Sequence, residues 1–333
     1  MAIYLGANEL STGGGGGGTP INGIAELANV TTQYTDLDGS TWLKAGFVNT
    51  DIASYPDAEK VGISPATAAL DQTIILSNAG NVSGITFKPD GTRFFTTDSS
   101  NKITEYSLST PWDLSTFAKV QEYNTAAHKQ DPTDLTFSQD GTRLFVTGQD
   151  PNDYVAQYSL STAWDIGTIT GLEALESVGR YSYGICFSPD GLNCFIGEQF
   201  DVFEQIWLTE PWDLRTKWKE NQIGVGSTGG SGWGLSINST GNKIYNIVNG
   251  IVYERTLSQP FDINTISSAP TNTYGNFGGS SVSTLGLYFN ENQTEIYTTQ
   301  VNSPGKANKF NVTQGVGLVN PVDLGSYSYI KIK

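Results

Sequence analysis

A glycine recurs at a fixed interval of 50 residues, at Gly91, Gly141, Gly191 and Gly241. A period of that size marks repeat architectures, in which one supersecondary unit buries its apolar face only by packing on its neighbours. Each glycine closes a phrase: Phe87-Lys88-Pro89-Asp90-Gly91, Phe137-Ser138-Gln139-Asp140-Gly141, Phe187-Ser188-Pro189-Asp190-Gly191 and Ile237-Asn238-Ser239-Thr240-Gly241. A fifth copy, Phe289-Asn290-Glu291-Asn292-Gln293, follows at an offset of 52 residues and has lost the glycine. The chemistry is that of a hairpin turn: proline presets φ, aspartate bonds back to its own turn and glycine takes the left-handed conformation. Glutamine at the last position costs about 1 kcal/mol against glycine, unless that turn differs.

Apolar residues alternate on either side of each turn, as in Leu135 and Phe137 before the second and Leu144 and Val146 after it. A third apolar strand follows (Ile103 to Leu108, Val155 to Leu160, Phe203 to Leu208, Val252 to Leu257), then the phrase Ser109-Thr110-Pro111-Trp112-Asp113. Its echoes are Ser161-Thr162-Ala163-Trp164-Asp165, Thr209-Glu210-Pro211-Trp212-Asp213 and Ser258-Gln259-Pro260-Phe261-Asp262. A more polar fourth strand, such as Val120 to Asn124, completes the unit. Four strands in roughly 40–50 residues make one propeller blade. The Trp-Asp pairs are read as packing on the outer edge of each blade, the indole over neighbouring strands and the carboxylate capping a turn. The alternative is a ring of sugar-stacking sites.

The fifth unit stops after its third strand, Lys306 to Val312, while a spare strand, Thr73-Ile74-Ile75-Leu76-Ser77, precedes the first. The expected fold is therefore all-β: a five-bladed β-propeller of four-stranded blades, closed by an N-terminal strand that leaves no open edge. A small N-terminal attachment region stands before it. The expected organisation is residues 1–18 as strand and glycine run, 19–70 as extended linker, 71–315 as propeller and 316–333 as C-terminal strand and tail. Within the ends, Ala2–Leu5 is a short strand candidate and Gly13 to Gly18 a swivel or tight crossing. Tyr327 to Lys333 alternates as a last strand, against the N-terminal region or another subunit.

The net charge of −15 repels phosphate backbones, so nucleic acid is not an expected partner. No run approaches the roughly 20 apolar residues of a membrane span, and the start of the chain lacks the pattern of a secretory signal. Cys186 and Cys194, the only two cysteines, flank one hairpin turn and are read as buried thiols rather than a bridge.

Thr41-Trp42-Leu43-Lys44-Ala45-Gly46-Phe47-Val48-Asn49-Thr50-Asp51, with Tyr55-Pro56-Asp57-Ala58, resembles a segment of bacteriophage tail-fibre and virion proteins. The blade units, with their Pro-Asp-Gly turns and Ser-Thr-Pro-Trp-Asp-Leu-Ser-Thr phrases, are similar to the propeller repeats that follow it there. The resemblance covers about three quarters of the chain, with Phe261 for Trp and Gln293 for Gly as departures. It implies a virion surface or tail protein, assembled in the host cytoplasm and acting outside the cell. Its propeller would contact a host-surface glycan or protein, and its N-terminal region other virion proteins. It also implies a homo-oligomer, a trimer being favoured. It identifies no catalytic residue.

Chemistry-bearing motifs are few. His128 stands without a nucleophile motif or a His/Cys cluster and is read as a solvated loop residue. Asp150-Pro151-Asn152-Asp153 lacks the spacing of a calcium loop and is read as a turn. The glycine run is followed by neither Lys-Ser/Thr nor a helix, so it is no phosphate loop. No cofactor, metal or catalytic residue is expected. Function is sought instead where the repeat is broken, because loops peculiar to one blade are free to recognise something. Those loops are His128–Asp131, Arg180 to Tyr183, Gln199 to Asp201 and Ser227 to Trp233. Arg180, Tyr181, Tyr183 and Trp233 form the candidate binding site, at one end of the central channel, with Arg180 as the charge for an acidic or hydroxyl-rich glycan. Plain packing of the channel is the competing reading. The expected function is receptor binding by a virion surface protein; the alternatives are a structural connector or capsid-decorating fibre, and a glycan-cleaving propeller enzyme.

Overall fold

The computed structural model describes residues 67–76, 80–128, 131–149, 154–179, 181–225, 233–277, 284–290, 292–301 and 304–313, with short strands at 10–11, 33–36, 41–44, 58–59, 62–63, 316–317 and 329–332. The chain divides into two units, Ala66–Thr313 and a second made from both ends, Met1–Pro65 with Gln314–Lys333.

Ala66–Thr313 is a five-bladed β-propeller of four-stranded antiparallel sheets. The first blade runs Val82–Phe87, Arg93–Asp98, Lys102–Leu108, Phe117–Asn124, from axis to rim. The second runs Pro132–Phe137, Arg143–Gly148, Tyr154–Leu160, Ile169–Ser177. The third is Ser182–Phe187, Asn193–Glu198, Val202–Leu208, Lys217–Gly224. The fourth is Trp233–Ile237, Lys243–Val248, Ile251–Thr256, Asn272–Asn276. Burial tracks the sequence: Val82–Phe87 is buried at every position, whereas exposed residues predominate in the rim strand Phe117–Asn124. An inner strand meets neighbouring blades on both faces, so it has no side for water.

The fifth blade, Thr284–Phe289, Glu295–Gln300 and Gly305–Thr313, is completed by Thr67–Leu76 from the other end of the propeller. The closing strand pairs antiparallel with Gly305–Thr313, Ile75 opposite Lys306, Thr73 opposite Asn308 and Leu70 opposite Phe310. It starts at Thr67 rather than Thr73, and its ladder extends to Thr313. Ile74 and Leu76 point into the core, while Leu70 and Ile75 are exposed.

The turns behave as their chemistry requires. Asp90, Asp140 and Asp190 accept from the amides two residues on, at 2.9–3.0 Å. Gly91, Gly141, Gly191 and Gly241 have φ of 69–72°. The glycine also answers a packing demand. A Cβ there would stand 2.2–2.5 Å from the ring of Trp112, Trp164, Trp212 or Phe261. The outer-edge expectation for these aromatics is corrected: each lies over its blade's hairpin turn. The three tryptophans also lie over the inner-strand phenylalanine, as in Phe137–Trp164 with centroids 4.8 Å apart, where the fourth blade has Ile237 beside Phe261. The Trp112, Trp164 and Trp212 amides donate to the carbonyls of those glycines at 2.9–3.0 Å. That bond and the stacking, about 0.5–1.5 kcal/mol for such a pair, offset the left-handed backbone of the aromatic residue. The aspartate that follows does cap a turn: Asp113, Asp165, Asp213 and Asp262 accept amides of short 3-10 turns at 3.0–3.1 Å.

The preceding blade clasps each of these loops. Gln72, Glu105, Gln157 and Gln205 accept the amides of Leu114, Ile166, Leu214 and Ile263 at 2.8–3.2 Å. Four of the five blade junctions are held this way. The junction of the fourth and fifth blades is the exception, because a blade whose fourth strand comes from upstream has no third-to-fourth connection to carry the phrase.

In the second unit, Tyr329–Ile332 lies between Thr41–Lys44 and Ala58–Glu59 in a five-stranded sheet, so the last strand does pair with the N-terminal region. Gly62–Ile63 pairs with Val316–Gly317. The candidate strand Ala2–Leu5 and the glycine run lie outside the described residues. Both cysteines are free thiols, Cys194 buried and Cys186 partly so, and burial raises the pKa of each.

Gly141→Ala should destabilise the protein by about 2–4 kcal/mol, from left-handed strain plus overpacking against the indole. Gln293→Ala should cost about 1 kcal/mol or less. Urea midpoints of the two variants check the contrast.

Candidate functional site

The five inner strands converge on the axis through one layer: Gly84, Asp134, Gly184, Gly234 and Gly286, placed by the register of each inner strand against its second strand. Four of these are glycine because a side chain would strike the next blade. A Cβ at Gly84 would stand 2.6 Å from Asp134 Cα, one at Gly234 2.6 Å from Leu285 O, and one at Gly286 2.5 Å from Ser83 O. The fifth position carries a carboxylate, 2 % exposed, whose Oδ2 accepts the Ile185 amide at 3.0 Å. Burial pushes the Asp134 carboxyl up to about 8, against the pull of the Ile185, Leu135 and Leu235 amides.

One residue earlier on each strand stand Ser83, Thr133, Tyr183, Trp233 and Leu285. This layer splits in character. Ser83 Oγ donates to the Pro132 carbonyl at 2.8 Å and Thr133 Oγ1 to the Ser182 carbonyl at 2.9 Å, joining the first three blades. Thr299 donates to the Ser83 carbonyl and joins the fifth blade to the first. On the other side Tyr183 and Trp233 pack ring on ring, centroids 4.1 Å apart. A cavity of about 280 Å³ opens here, lined by Ser83, Thr133 and Gln149 on its polar side and by Trp233, Leu285 and Val301 on its apolar side. Asp131 is the one charged residue among the described residues that line it. The volume lies just below the range of about 300–1,000 Å³ typical of drug-sized ligands, which suits one small ring. An indole wall facing hydroxyls and an amide is suited to a ring with one apolar face and a hydroxylated edge.

Of the four residues singled out from sequence, Trp233 lines this cavity and Tyr183 backs it, nearly buried at 5 % exposure. Tyr181 is exposed on a left-handed backbone, φ 56°. Arg180 lies outside the described residues, as do Lys129, Gln130 and Asp150 to Asp153. Phe200, in another of the irregular loops, is 71 % exposed at φ 63°, followed by Asp201 at φ 56°. Asn249-Gly250 builds the corresponding turn of the fourth blade from residues that favour this conformation. Phe200 instead puts a bulky, largely exposed aromatic in that left-handed conformation. His128 is exposed beside Tyr158, rings 5.9 Å apart. Sequence reasoning missed Ser83, Thr133, Leu285 and Asp134. The signal for Asp134 was present: it falls at the 50-residue spacing where Gly84, Gly184 and Gly234 stand.

Among the described residues no group of three His, Cys, Asp or Glu side chains is placed to hold a metal ion, and no helix is long and apolar enough to cross a membrane. No family model and no curated protein matches the sequence. Among solved structures the chain is similar to a functionally unknown protein from Desulfotomaculum acetoxidans DSM 771, 12 % identical with a TM-score of 0.42, over 72 % of this chain and 69 % of that one. The class defined by the structure itself is a five-bladed β-propeller with a packed axis and a small two-sided cavity at the start of its inner strands.

Asp134 has a folded pKa above the unfolded value of about 3.9. The native state keeps a proton that the unfolded chain releases, so the term from this group favours folding at pH 4 and is lost as pH rises towards 8. Asp134→Asn should therefore raise the urea midpoint at pH 7.5 and change it little at pH 4. An equal effect at both pH values would contradict the assignment.

Proposed function

We propose that this chain is a virion surface protein of the tail-fibre type that binds a host-surface glycan in the axial cavity. The observation that carries the binding reading is the two-sided wall, with Trp233 and Leu285 facing Ser83, Thr133 and Gln149. The exposed rings of Tyr181 and Phe200 extend the surface for further sugar units. With Asp131 as the charged group among the described lining residues, a neutral, hydroxyl-rich sugar suits the cavity better than an acidic one. The virion setting rests on the resemblance of the segment from Thr41 to Ala58 and of the blade phrases to tail-fibre proteins. In that setting each contact is weak and several copies per particle multiply it, since linked sites gain about 10²–10⁴ in avidity without any new contact.

On a glycan array the purified chain should bind neutral glycans without releasing product. Trp233→Ala should weaken that binding about tenfold or more, the loss of a stacking wall worth about 1.4 kcal/mol, and leave the far-ultraviolet spectrum unchanged. Binding only to particle proteins would favour the connector role, and released sugar an enzyme.

A further inference from the structure

The one blade junction that lacks an aromatic loop holds the second cavity. It measures about 530 Å³ and lies at the far end of the inner strands, between the fourth and fifth blades. Its walls are the counterparts of those that hold Trp112 at the junction of the fifth and first blades. There Trp112 stacks on Phe87 and Tyr288, packs at a tilt on Tyr297 and lies against Gly91. Here the same positions are Phe289, Ser236, Tyr245 and Gln293, and all four line the cavity. The space is the unfilled seat of a fifth aromatic loop. The seat has also changed chemically. Glu254, at the place of Glu105, Gln157 and Gln205, pairs with Lys243 at 2.8 Å, as Glu105 pairs with Arg93, and accepts from Tyr274 Oη at 2.8 Å. Gln293 carries a side chain where the other turns have glycine, and a Cβ at that place stands too close for an indole in the pose used elsewhere.

We infer that this cavity is a second ligand site, for the ring of an uncharged sugar. Phe289 and Tyr245, packed against each other with centroids 4.3 Å apart, give it an aromatic wall, while Ser239, Asn292 and Gln293 give it hydroxyl and amide groups. No charged side chain stands among the described residues that line it. Tyr245 Oη donates to Gln293 Oε1 at 3.1 Å, which fixes the amide and turns its Nε2 donor to other partners. A wall of π-faces rimmed by amides is complementary to a pyranose, whose C–H face is apolar and whose edge is hydroxyl. An acidic sugar would bury its carboxylate without a cation, which this wall does not offset. The site stands independently of the axial cavity.

Isothermal titration of the full-length chain with methyl glycosides of neutral hexoses and N-acetylhexosamines tests it, with Trp233→Ala as background so that the axial cavity does not report. At least one neutral glycoside should bind in the millimolar range or tighter, and sialic acid should not. Gln293→Ala and Asn292→Ala, both on an exposed turn, should each weaken binding about fivefold or more. The inference is overturned by no saturable heat up to ~10 mM, by binding that both variants leave unchanged, or by preference for the acetylated peptide Ser-Thr-Pro-Trp-Asp-Leu over every sugar. Loss of binding in Trp233→Ala alone would place the sugar in the axial cavity and contradict this site while sparing the first.

Discussion

The ladder between Thr67–Leu76 and Gly305–Thr313 decides the rest of the molecule. Without it the fifth blade presents an unpaired edge, and a sheet edge is a template for association with other chains. With it the circle shuts and the fifth blade is held against the first. That contact is where Trp112 meets Tyr288 and Tyr297 and where Thr299 reaches the Ser83 carbonyl. The axial cavity depends on it equally, since Ser83 and Thr133 belong to the first two blades and Leu285 and Val301 to the fifth.

The same closure has a cost that shapes the second cavity. In four blades the link from third to fourth strand carries an aromatic that lies on the hairpin turn, and a glycine in the turn makes room for it. The fifth blade borrows its fourth strand from upstream, so the link and its aromatic are gone. The glycine then has no ring to admit, and Gln293 stands there at φ 55° with its oxygen on the Tyr245 hydroxyl. The fifth unit lacks both the glycine and the aromatic phrase, and the space between the fourth and fifth blades lies where that phrase would sit.

Much of this was legible in the sequence. The period of 50 residues, the turn chemistry and the spare strand specify five closed blades before any coordinate is known, because hairpin geometry and strand alternation are local and repeat in register. The seat of the tryptophans was misplaced for the opposite reason. A left-handed residue at Trp112 folds the loop back over its own turn, and nothing in the residue types announces that. The candidate site was half legible. Trp233 stood out as an irregularity, but its partners Ser83, Thr133 and Leu285 come from blades far away in sequence, and small residues such as Ser83 look like ordinary strand until the axis brings them together. Asp134 shows a signal passed over: a repeat read for its turns was not read for the one carboxylate in a column of glycines.

The closing ladder can be tested by covalent trapping. Thr73 and Asn308 face each other across it, Thr73 Oγ1 2.9 Å from Asn308 Oδ1, and cysteines at directly opposed positions join only when their Cα atoms lie within about 7 Å. In the double variant Thr73→Cys/Asn308→Cys, mild oxidation should yield a monomer lighter by two hydrogen atoms, with one peptide linking the two segments in a proteolytic map. A folded double variant that keeps both new thiols free, or joins them only between chains, would contradict the ring.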